Sequence, residues 1–373
     1  MLIEFTVKNY KSIKDTLTLS MLPSKKIKSK DRLNNLISVP NYPNLYLLKS
    51  AILYGANNSG KSNILDSFST LYSLINNPFS FLDLDSVQFK FDKYSNVETE
   101  FLIDFIAGDG IRYKYNVLFN YKAIIKESLS YYIPNRKIQK PKLIFKRENL
   151  NVEGLSKKYY KELEYYELLL ANTKINNIIP LIPIYNYFTR AESVLAYISE
   201  LEDKNCISYI TNLMRYFDSN LKSIEIVNRE VILNYRQFQG KKELNIPYKI
   251  RLSNMSNSSI KLFKLSYLIY KSINSNQFLI IDDIDKELHS VLTSYLIEEL
   301  HNTQNNSQFL LISHDVTQMN NFDKDQVYIV EKDYYGITTC SSVSEFNGLH
   351  KKMTLENWYR QGRLGGIPHI KNT

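Results

Sequence analysis

The sequence predicts an α/β fold, and three observations support this prediction. A short apolar run at 50–54 is followed by a glycine-rich loop and then by apolar residues at helical spacing. Two strand-like runs, 99–107 and 111–119, are joined by a short turn rich in Gly and Asp, which is typical of a β-hairpin. After residue 222, strand-like and helix-like segments alternate, as they do in a layered α/β domain.

The composition of the chain is that of a folded, non-membrane protein. Its 373 residues are 44% hydrophobic and 23% charged, and no apolar stretch approaches the roughly 20 residues that cross a bilayer. The opening Met1-Leu2-Ile3-Glu4 does not resemble a secretion signal. Two cysteines, Cys206 and Cys340, are too few for a disulfide framework or a four-ligand zinc site. We therefore expect a cytoplasmic protein without a membrane partner.

The net charge of +9 is unevenly distributed along the chain. Residues 1–50 carry nine Lys or Arg against three Asp or Glu, and residues 133–147 carry six basic residues and no acidic one. Such clusters attract nucleic acid by counterion release, and the segments 25–32 and 135–147 are the candidates for this role. They are equally consistent with a solvated basic surface.

Three segments are predicted from the pattern of apolar residues. Residues 1–150 are rich in strands, 151–222 form a helical insertion, and 223–373 return to alternating strands and helices. The insertion is predicted to be a helical arm with a break at Pro180 and Pro183. The residues at helical spacing that support it are Tyr159, Leu163, Tyr166, Leu169, Leu170, Val194, Ile198 and Leu201.

The glycine-rich loop fully matches the phosphate-binding pattern GxxxxGK[ST], and we call it the P-loop. Its residues are Gly55, Ala56, Asn57, Asn58, Ser59, Gly60, Lys61 and Ser62. Glycines let main-chain N–H groups surround a β-phosphate, Lys61 reaches the β and γ oxygens, and the Ser62 hydroxyl binds Mg²⁺. The apolar strand before the loop and the helical pattern after it are the context that this motif requires. ATP and Mg²⁺ are therefore the predicted ligands.

Two further strands are predicted to end in residues of the same site. The run 278–281 ends in Asp282 and Asp283, where Asp282 would bind Mg²⁺ and Asp283 would polarise the attacking water. The run 309–312 ends in Ser313 and His314, and His314 is placed to contact the γ-phosphate. These residues predict ATP hydrolysis.

The order of these motifs resembles that of ABC-type ATPase heads of the SMC and DNA-repair kind. More narrowly, the opening at 5–15, the segment 280–292 and the tail at 359–368 look like bacterial ATPases of the abortive-infection and RloA-like group, which includes the ATPase of the PARIS anti-phage system. The resemblance runs from Leu2 to about Ile370. It implies an ATPase head with a β-rich lobe and a RecA-like α/β core, interrupted by the helical insertion.

The resemblance also implies a dimer, or a higher homo-oligomer, closed by ATP. Each head would bind ATP with its own P-loop and with the partner's signature segment, which precedes a helix. Here the signature is best matched by Ser256, Asn257, Ser258 and Ser259. Lys11 would occupy the position of a basic residue that helps to hold the nucleotide.

Two departures from the family pattern indicate slow hydrolysis. Ser258 stands where the family has a glycine, and Asp283 stands where it usually has Glu. A side chain at 258 would crowd a phosphate, and a carboxylate one methylene shorter would be misplaced by about 1 Å, which can cost about a hundredfold in rate.

Three functions follow from the resemblance and the charge pattern. The first is the sensor or scaffold ATPase of an anti-phage, abortive-infection module that controls a separate toxic effector, for which the family resemblance suggests a nuclease. The second is a DNA-binding repair or maintenance ATPase. The third is a scaffold that binds nucleotide without hydrolysing it.

Overall fold

The computed structural model of the protein describes residues 1–25, 35–76, 87–92, 98–136, 140–161, 163–172, 203–302, 306–348 and 353–367. Its strands form a seven-stranded sheet, a five-stranded sheet and three smaller sheets. Two large clusters of buried apolar side chains and one smaller cluster make up the core. Within the described ranges, no helix has the length and apolar character needed to cross a membrane.

Strands and helices alternate along the chain after a strand-rich first part. The strands are β1 Leu2–Lys8, β2 Leu17–Ser20, β3 Leu36–Ser38, β4 Tyr46–Leu48, β5 Ser50–Tyr54, β6 Thr99–Ile106, β7 Arg112–Phe119, β8 Ile124–Tyr132, β9 Pro141–Glu148, β10 Asn151–Glu153, β11 Leu221–Val227, β12 Glu230–Tyr235, β13 Phe238–Gln239, β14 Lys242–Glu243, β15 Tyr248–Arg251, β16 Phe278–Ile281, β17 Gln308–Ile312, β18 Val327–Lys332 and β19 Thr338–Ser342. The α-helices are α1 Lys61–Asn76, α2 Lys204–Arg215, α3 Asn257–Ser275, α4 Ser290–Asn302 and α5 Leu355–Arg360. Short 3-10 helices cover Lys157–Tyr159, Leu252–Asn254, Val316–Asn321 and Val343–Glu345.

The seven-stranded sheet, which we call the β-lobe, is antiparallel in the order β10-β9-β8-β7-β6-β1-β2. The predicted hairpin is confirmed, because β6 pairs with β7 in an unbroken register from Thr99 opposite Phe119 to Ile106 opposite Arg112. Every second residue of β7 is buried. This alternation is expected of an antiparallel sheet with one face on the core and the other nearer to solvent.

The five-stranded sheet, which we call the core sheet, has the order β16-β17-β5-β18-β19. Its first four strands run parallel, and β19 is an antiparallel edge strand. Every residue of β5 and of β17 is buried, as expected of strands that are covered on both faces. Because the carboxyl ends of parallel strands meet at one edge, this sheet brings together the loops that follow β5, β16 and β17.

Helix α3 begins and ends at residues that satisfy its free main-chain groups. The hydroxyl of Ser256 accepts a hydrogen bond from the main-chain N–H of Ser259, and Asn276 ends the helix in the left-handed conformation, with φ of 50°. Its buried residues include Leu262, Leu265 and Ile269, the apolar face expected from the sequence. The prediction that a helix follows the signature segment is therefore confirmed.

The prediction of a helix from Tyr159 to Leu170 is wrong. The described residues of this part form only the short 3-10 helix at 157–159 and a series of turns. Leu168, Leu169 and Leu170 are buried in the core cluster of the β-lobe. Packing against the β-lobe overrides the local helical spacing.

The rest of the predicted insertion is described only in its last part. Residues 173–202, which include Pro180, Pro183, Val194, Ile198 and Leu201, lie outside the described residues. Helix α2 follows them and packs on α3, and its buried residues belong to the cluster that surrounds α3 and α4. The boundaries of 151–222 remain a prediction.

A buried carboxylate explains why residues 168–170 lie on the β-lobe. Glu127 on β8 accepts hydrogen bonds from the main-chain N–H groups of Leu169 (2.7 Å) and Leu170 (2.9 Å) and from the hydroxyl of Tyr115 (2.9 Å). Burial raises the pKa of Glu127, and the charge of Arg147 and these hydrogen bonds oppose the shift. The main chain is thereby fixed in a non-helical path.

Arg147 on β9 is the buried partner of Glu127. Its Nη1 lies 3.6 Å from Oε2 of Glu127, and both side chains are 0% exposed. The guanidinium also donates to the main-chain oxygens of Asn149, Glu164 and Glu167. Arg147 therefore does not belong to a surface track for nucleic acid, as its place in the 135–147 basic cluster had suggested.

Polar side chains are also buried at the amino end of β5. The Nε2 atom of His301 lies 2.7 Å from Oγ of Ser50, and Lys49 Nζ donates to the main-chain oxygen of His301 at 3.2 Å. Gln326 Nε2 donates to the main-chain and hydroxyl oxygens of Ser50. Burial, with a smaller effect of the Lys49 charge, lowers the pKa of His301 from 6.5 to about 4.

We expect this histidine to make the fold less stable at low pH. The pKa of His301 is lowered in the folded state. The contribution of the neutral His301 side chain to stability is therefore present above about pH 6.5 and is lost as the pH falls towards 4. The loss amounts to about 3 kcal/mol of unfolding free energy. Urea unfolding at several pH values should give a smaller pH slope for His301→Gln than for the wild type. The matched control His289→Gln, at an exposed histidine, should keep the wild-type slope, and equal slopes for all three proteins would contradict this account.

Candidate functional site

The P-loop lies between β5 and α1, as predicted. Lys61 is the first residue of α1 and is buried, and its Nζ donates hydrogen bonds to the main-chain oxygens of Gly55 (2.7 Å) and Ala56 (3.0 Å). Burial lowers the pKa of Lys61, and the carboxylates of the segment 282–285 oppose this shift. The ammonium group is therefore held beside the loop, in the field of several carboxylates.

Two glycines allow the P-loop to lie close to the neighbouring strands. Gly60 has φ of +106°, and a Cβ there would lie 2.2 Å from Oγ1 of Thr338 on β19. A Cβ at Gly55 would lie 2.2 Å from the main-chain oxygen of Val330 on β18. Any larger residue at either position would push the loop away from the core sheet.

A chain of hydroxyl and amide groups joins the P-loop to the opening segment. Thr338 Oγ1 donates to the main-chain oxygen of Ser59 (2.8 Å) and lies 2.7 Å from Oγ of Ser12. Asn63 Nδ2, in the first turn of α1, donates to the same Ser12 hydroxyl at 2.6 Å. The opening segment, the P-loop and the edge strand are thus held as one unit.

Asp282 and Asp283 follow β16 and lie at the same edge of the core sheet as the P-loop. Both line a cavity of about 330 Å³ that is also lined by residues 57–63 and by His314. The Nε2 atom of His314 lies 3.3 Å from Oδ1 of Asp283. Burial raises the pKa of Asp282, and the adjacent charge of Asp283 raises it further. The structure therefore brings together the P-loop residues and the three residues predicted on neighbouring strand ends.

A further carboxylate, which the sequence did not single out, fixes the loop that carries His314. Asp285 accepts hydrogen bonds from the main-chain N–H groups of His314 (3.0 Å) and Asp315 (3.0 Å). It lies three residues after Asp282. The two strand-end loops of the site therefore hold each other in place.

The predicted signature residues Ser256, Asn257, Ser258 and Ser259 lie at the start of α3. The Oγ of Ser256 lies 3.0 Å from Oγ of Ser258 and 3.0 Å from Oγ of Ser259. Of the described residues that line the 330 Å³ cavity, none belongs to 256–259. Within one chain the signature segment and the P-loop do not share this cavity.

Lys261 connects the signature helix to the carboxylate loop. Its Nζ donates to the main-chain oxygens of Asp283 and Lys286. Burial lowers the pKa of Lys261, and the nearby carboxylates of Asp285, Asp283 and Glu287 oppose this shift. The first turn of α3 and the loop of Asp283 are thus directly linked.

Lys11 lies beside α1, where its Nζ is 2.5 Å from Oδ2 of Asp66. It has φ of +47°, and its Nζ is 5.6 Å from the ring centre of Tyr10. Lys11 is not among the described residues that line the 330 Å³ cavity. The structure places this side chain in an ion pair, and its contact with nucleotide remains a prediction.

Ser62 and Asp282, the predicted ligands of Mg²⁺, line the same cavity. Mg²⁺ is usually bound by one or two protein oxygens together with phosphate oxygens and water. Burial, and to a smaller extent the charge of Asp283, raises the pKa of Asp282, and a bound cation would offset both effects. In the described part of the chain, no group of three or more His, Cys, Asp or Glu could hold a metal by itself. These residues therefore fit a magnesium ion that is bound together with a nucleotide.

A sequence profile of one protein family matches residues 50–320, a range that includes the P-loop, Asp282 and His314. The family is described as "AAA domain, putative AbiEii toxin, Type IV TA system". The chain belongs to this AAA-domain family. The match covers well over half of the chain and agrees with the resemblance to the abortive-infection group.

The fold of this AAA domain is similar to that of SMC head domains. An Smc head domain with an extended coiled coil, bound to the C-terminal domain of ScpA and derived from Pyrococcus furiosus, has a TM-score of 0.50 and 15% identity over 97% of this chain and 98% of that chain. The SMC head domain from Thermotoga maritima has a TM-score of 0.47 and 13% identity over 91% and 98% of the two chains. No curated protein sequence matches the chain. The predicted fold class, an α/β P-loop ATPase head of the SMC-like kind, is confirmed.

Sequence patterns did not identify several residues that shape the site of this AAA domain. Thr338, Asp285 and Lys261 act on main-chain atoms of other segments. None of them belongs to a motif with fixed spacing. Their roles depend on which strands are neighbours, and only the strand order of the core sheet shows this.

Proposed function

We propose that this AAA domain binds ATP with Mg²⁺, hydrolyses it slowly and closes around it with a second copy of the chain. The cavity in which the P-loop meets Asp282, Asp283 and His314 is the observation that supports this proposal most. Lys61 and the N–H groups of the P-loop would hold the β- and γ-phosphates. Ser62 and Asp282 would hold the metal, which neutralises charge on the phosphates.

Asp283 and His314 are the residues proposed to act on the reacting atoms. Asp283 would orient the attacking water and accept its proton, and His314 would contact the γ-phosphate. The 3.3 Å approach of His314 Nε2 to Asp283 Oδ1 supports this assignment, because a water or a phosphate oxygen bound to one side chain would lie close to the other.

We expect Asp283→Glu to raise the rate of ATP turnover. The longer side chain would move the carboxylate towards the reacting water by about 1 Å, and such a shift can change the rate by up to about a hundredfold. Phosphate release at saturating ATP is the measurement. The control Asp283→Asn keeps the size of the side chain and removes the base, so its turnover should fall below that of the wild type. Unchanged turnover in Asp283→Glu would refute the explanation that the short side chain slows hydrolysis.

The proposed partner in the closed state is a second head. The position of Ser256–Ser259 at a helix start, outside their own chain's cavity, supports a contact with a partner's nucleotide. Sedimentation with ATP and Mg²⁺ tests this, with Asp283→Asn used to prolong the ATP-bound state. The mass should double or rise to a higher multiple when ATP is added, and a protein that stays monomeric at saturating ATP would contradict the proposal.

The proposed biological role is that of a sensor or scaffold subunit in an anti-phage module, which controls a separate toxic effector, a nuclease. The family description, with its putative AbiEii toxin and Type IV TA system, supports this role. Co-purification from the native operon would identify the effector. Protection against phage should require the intact P-loop, and protection by Lys61→Ala would contradict an ATP-dependent role.

A DNA-binding role is the second candidate, because several basic side chains near β9 are exposed. Lys140, Lys142 and Lys146 are exposed, whereas Arg147 of the same cluster is buried. Binding to duplex DNA that weakens steeply with salt and strengthens with ATP would support this function. ATP turnover with and without duplex DNA is the companion measurement.

A further inference from the structure

The tail segment at 359–367 lies against the first residue of the P-loop. After helix α5 the chain turns at residues 361–366, and Gly366 has φ of +69°. A Cβ at Gly366 would lie 2.7 Å from Cγ2 of Ile329 on β18 and 3.5 Å from Cα of Gly55. Only a glycine allows the turn to contact the first residue of the P-loop so closely.

Two hydrogen bonds hold this turn in place. The main-chain N–H of Gly366 donates to Oε1 of Glu331 on β18 at 2.7 Å, and the hydroxyl of Tyr359 donates to the main-chain oxygen of Gly366 at 2.7 Å. A Cβ at Gly365 would lie 2.4 Å from Oε1 of Glu331, so this position also excludes a side chain. Because β18 is the neighbour of β5 in the core sheet, Glu331 fixes the turn to the strand next to the P-loop.

The same tail is joined to the segment that follows His314. Asn320 Nδ2 donates to Oε2 of Glu356 on α5 at 3.0 Å. Tyr54, the last residue of β5, donates its hydroxyl proton to the main-chain oxygen of Asp315 and has its ring centre 6.2 Å from that of Tyr359. The tail therefore contacts the strand that leads into the P-loop and the 3-10 helix that follows the His314 loop.

A cavity of about 660 Å³ lies between these elements. It is lined by residues 55–59 of the P-loop, by His314, by 330–333 at the end of β18, and by Tyr359, Gly366 and Ile367 of the tail. The P-loop therefore borders open space at its first five residues. The turn at 361–366 is a contact that limits its movement there.

We propose that the turn at 361–366 is a positioning element of the nucleotide site, which supports the P-loop at Gly55 and couples it to the His314 loop. This inference rests on the proposed function, in which the P-loop binds ATP. Displacement of the turn would let Gly55 move, and the N–H groups of the loop would lose their alignment on the phosphates. ATP affinity would then depend on a segment outside the 330 Å³ cavity that Asp282 and Asp283 line.

The test compares two glycine-to-alanine variants with the same backbone strain. Gly366→Ala places a methyl group against Ile329 and the P-loop, whereas Gly348→Ala, at φ of +76°, places one where no described residue lies within 4 Å. Equilibrium binding of ATP and the midpoint of urea unfolding are measured for both. We expect ATP to bind Gly366→Ala on the order of tenfold more weakly than Gly348→Ala. Equal ATP affinity in the two variants would overturn the proposal.

A second variant keeps the test valid if Gly366→Ala does not fold. Tyr359→Phe removes only the hydroxyl that donates to Gly366, and it should weaken ATP binding several-fold with little change in the unfolding midpoint. If Gly366→Ala does not fold and Tyr359→Phe binds ATP as tightly as the wild type, the turn has only a structural role and the proposal is overturned. Lys61→Ala distinguishes a failure of this inference from a failure of the proposed function. Loss of ATP binding in that variant would establish the P-loop site, whatever the tail variants show.

Discussion

Replacing Lys61 with alanine should abolish ATP turnover and weaken ATP binding. The Nζ of this residue lies beside the P-loop, where the proposed function places the β- and γ-phosphates. Removing one preorganised electrostatic contact of this kind costs about a hundredfold to a thousandfold in rate. We therefore expect phosphate release at the level of the protein-free background.

The control for this variant is Lys61→Arg, which keeps the positive charge. The guanidinium is larger and planar, and the space beside the main-chain oxygens of Gly55 and Ala56 is fitted to an ammonium group. Arginine should therefore retain part of the nucleotide affinity but little of the turnover. Turnover that survives unchanged in Lys61→Ala would show that the measured activity belongs to a contaminant or to another site.

Replacing Arg147 with methionine should have the largest effect on stability. Methionine retains an apolar stem, but it leaves the fully buried carboxylate of Glu127 without its partner. It also removes the donor to the main-chain oxygens of Asn149, Glu164 and Glu167. Breaking one side of a buried ion pair costs about 3–5 kcal/mol of unfolding free energy. Urea unfolding measures this loss.

Two further variants show whether the loss comes from the buried pair. Lys146→Met changes the preceding residue of β9, which is exposed and pairs with Glu148 at 3.0 Å, so its unfolding midpoint should stay near that of the wild type. Glu127→Gln combined with Arg147→Met removes both charges and should recover part of the stability. An Arg147→Met protein as stable as Lys146→Met would mean that the pair contributes nothing.

The P-loop, the β6–β7 hairpin and the carboxylates after β16 could be predicted because their signals are local. In each case a motif or an alternation within about ten residues determines the structure. The helix predicted over 159–170 does not form, because contacts with residues far away in the sequence determine the path of this segment. Glu127 and Arg147, which lie on other strands, bind the main chain of that segment and override its spacing.

The basic cluster at 135–147 shows that local sequence patterns also fail to predict which charged side chains are exposed. From the sequence, Arg147 is one more positive residue in the segment 135–147, which contains no acidic residue. In the structure it is buried, because its partner Glu127 lies on the adjacent strand. Whether a charged side chain is buried or exposed depends on which strands pair. Local sequence patterns do not show that β8 pairs with β9.

The strand order of the core sheet has a consequence for how the protein is made. Strand β5 lies between β17 and β18, and Gln308 on β17 contacts Leu48, 260 residues earlier in the chain. During synthesis, the strand that leads into the P-loop has no strand partner in the core sheet until β17, at residues 308–312, has been produced. Strand pairings between residues so far apart in the sequence form slowly. Until they form, the edges of the strands stay unpaired and exposed. The candidate site is therefore completed only after β17 has been synthesised, about 250 residues after the P-loop.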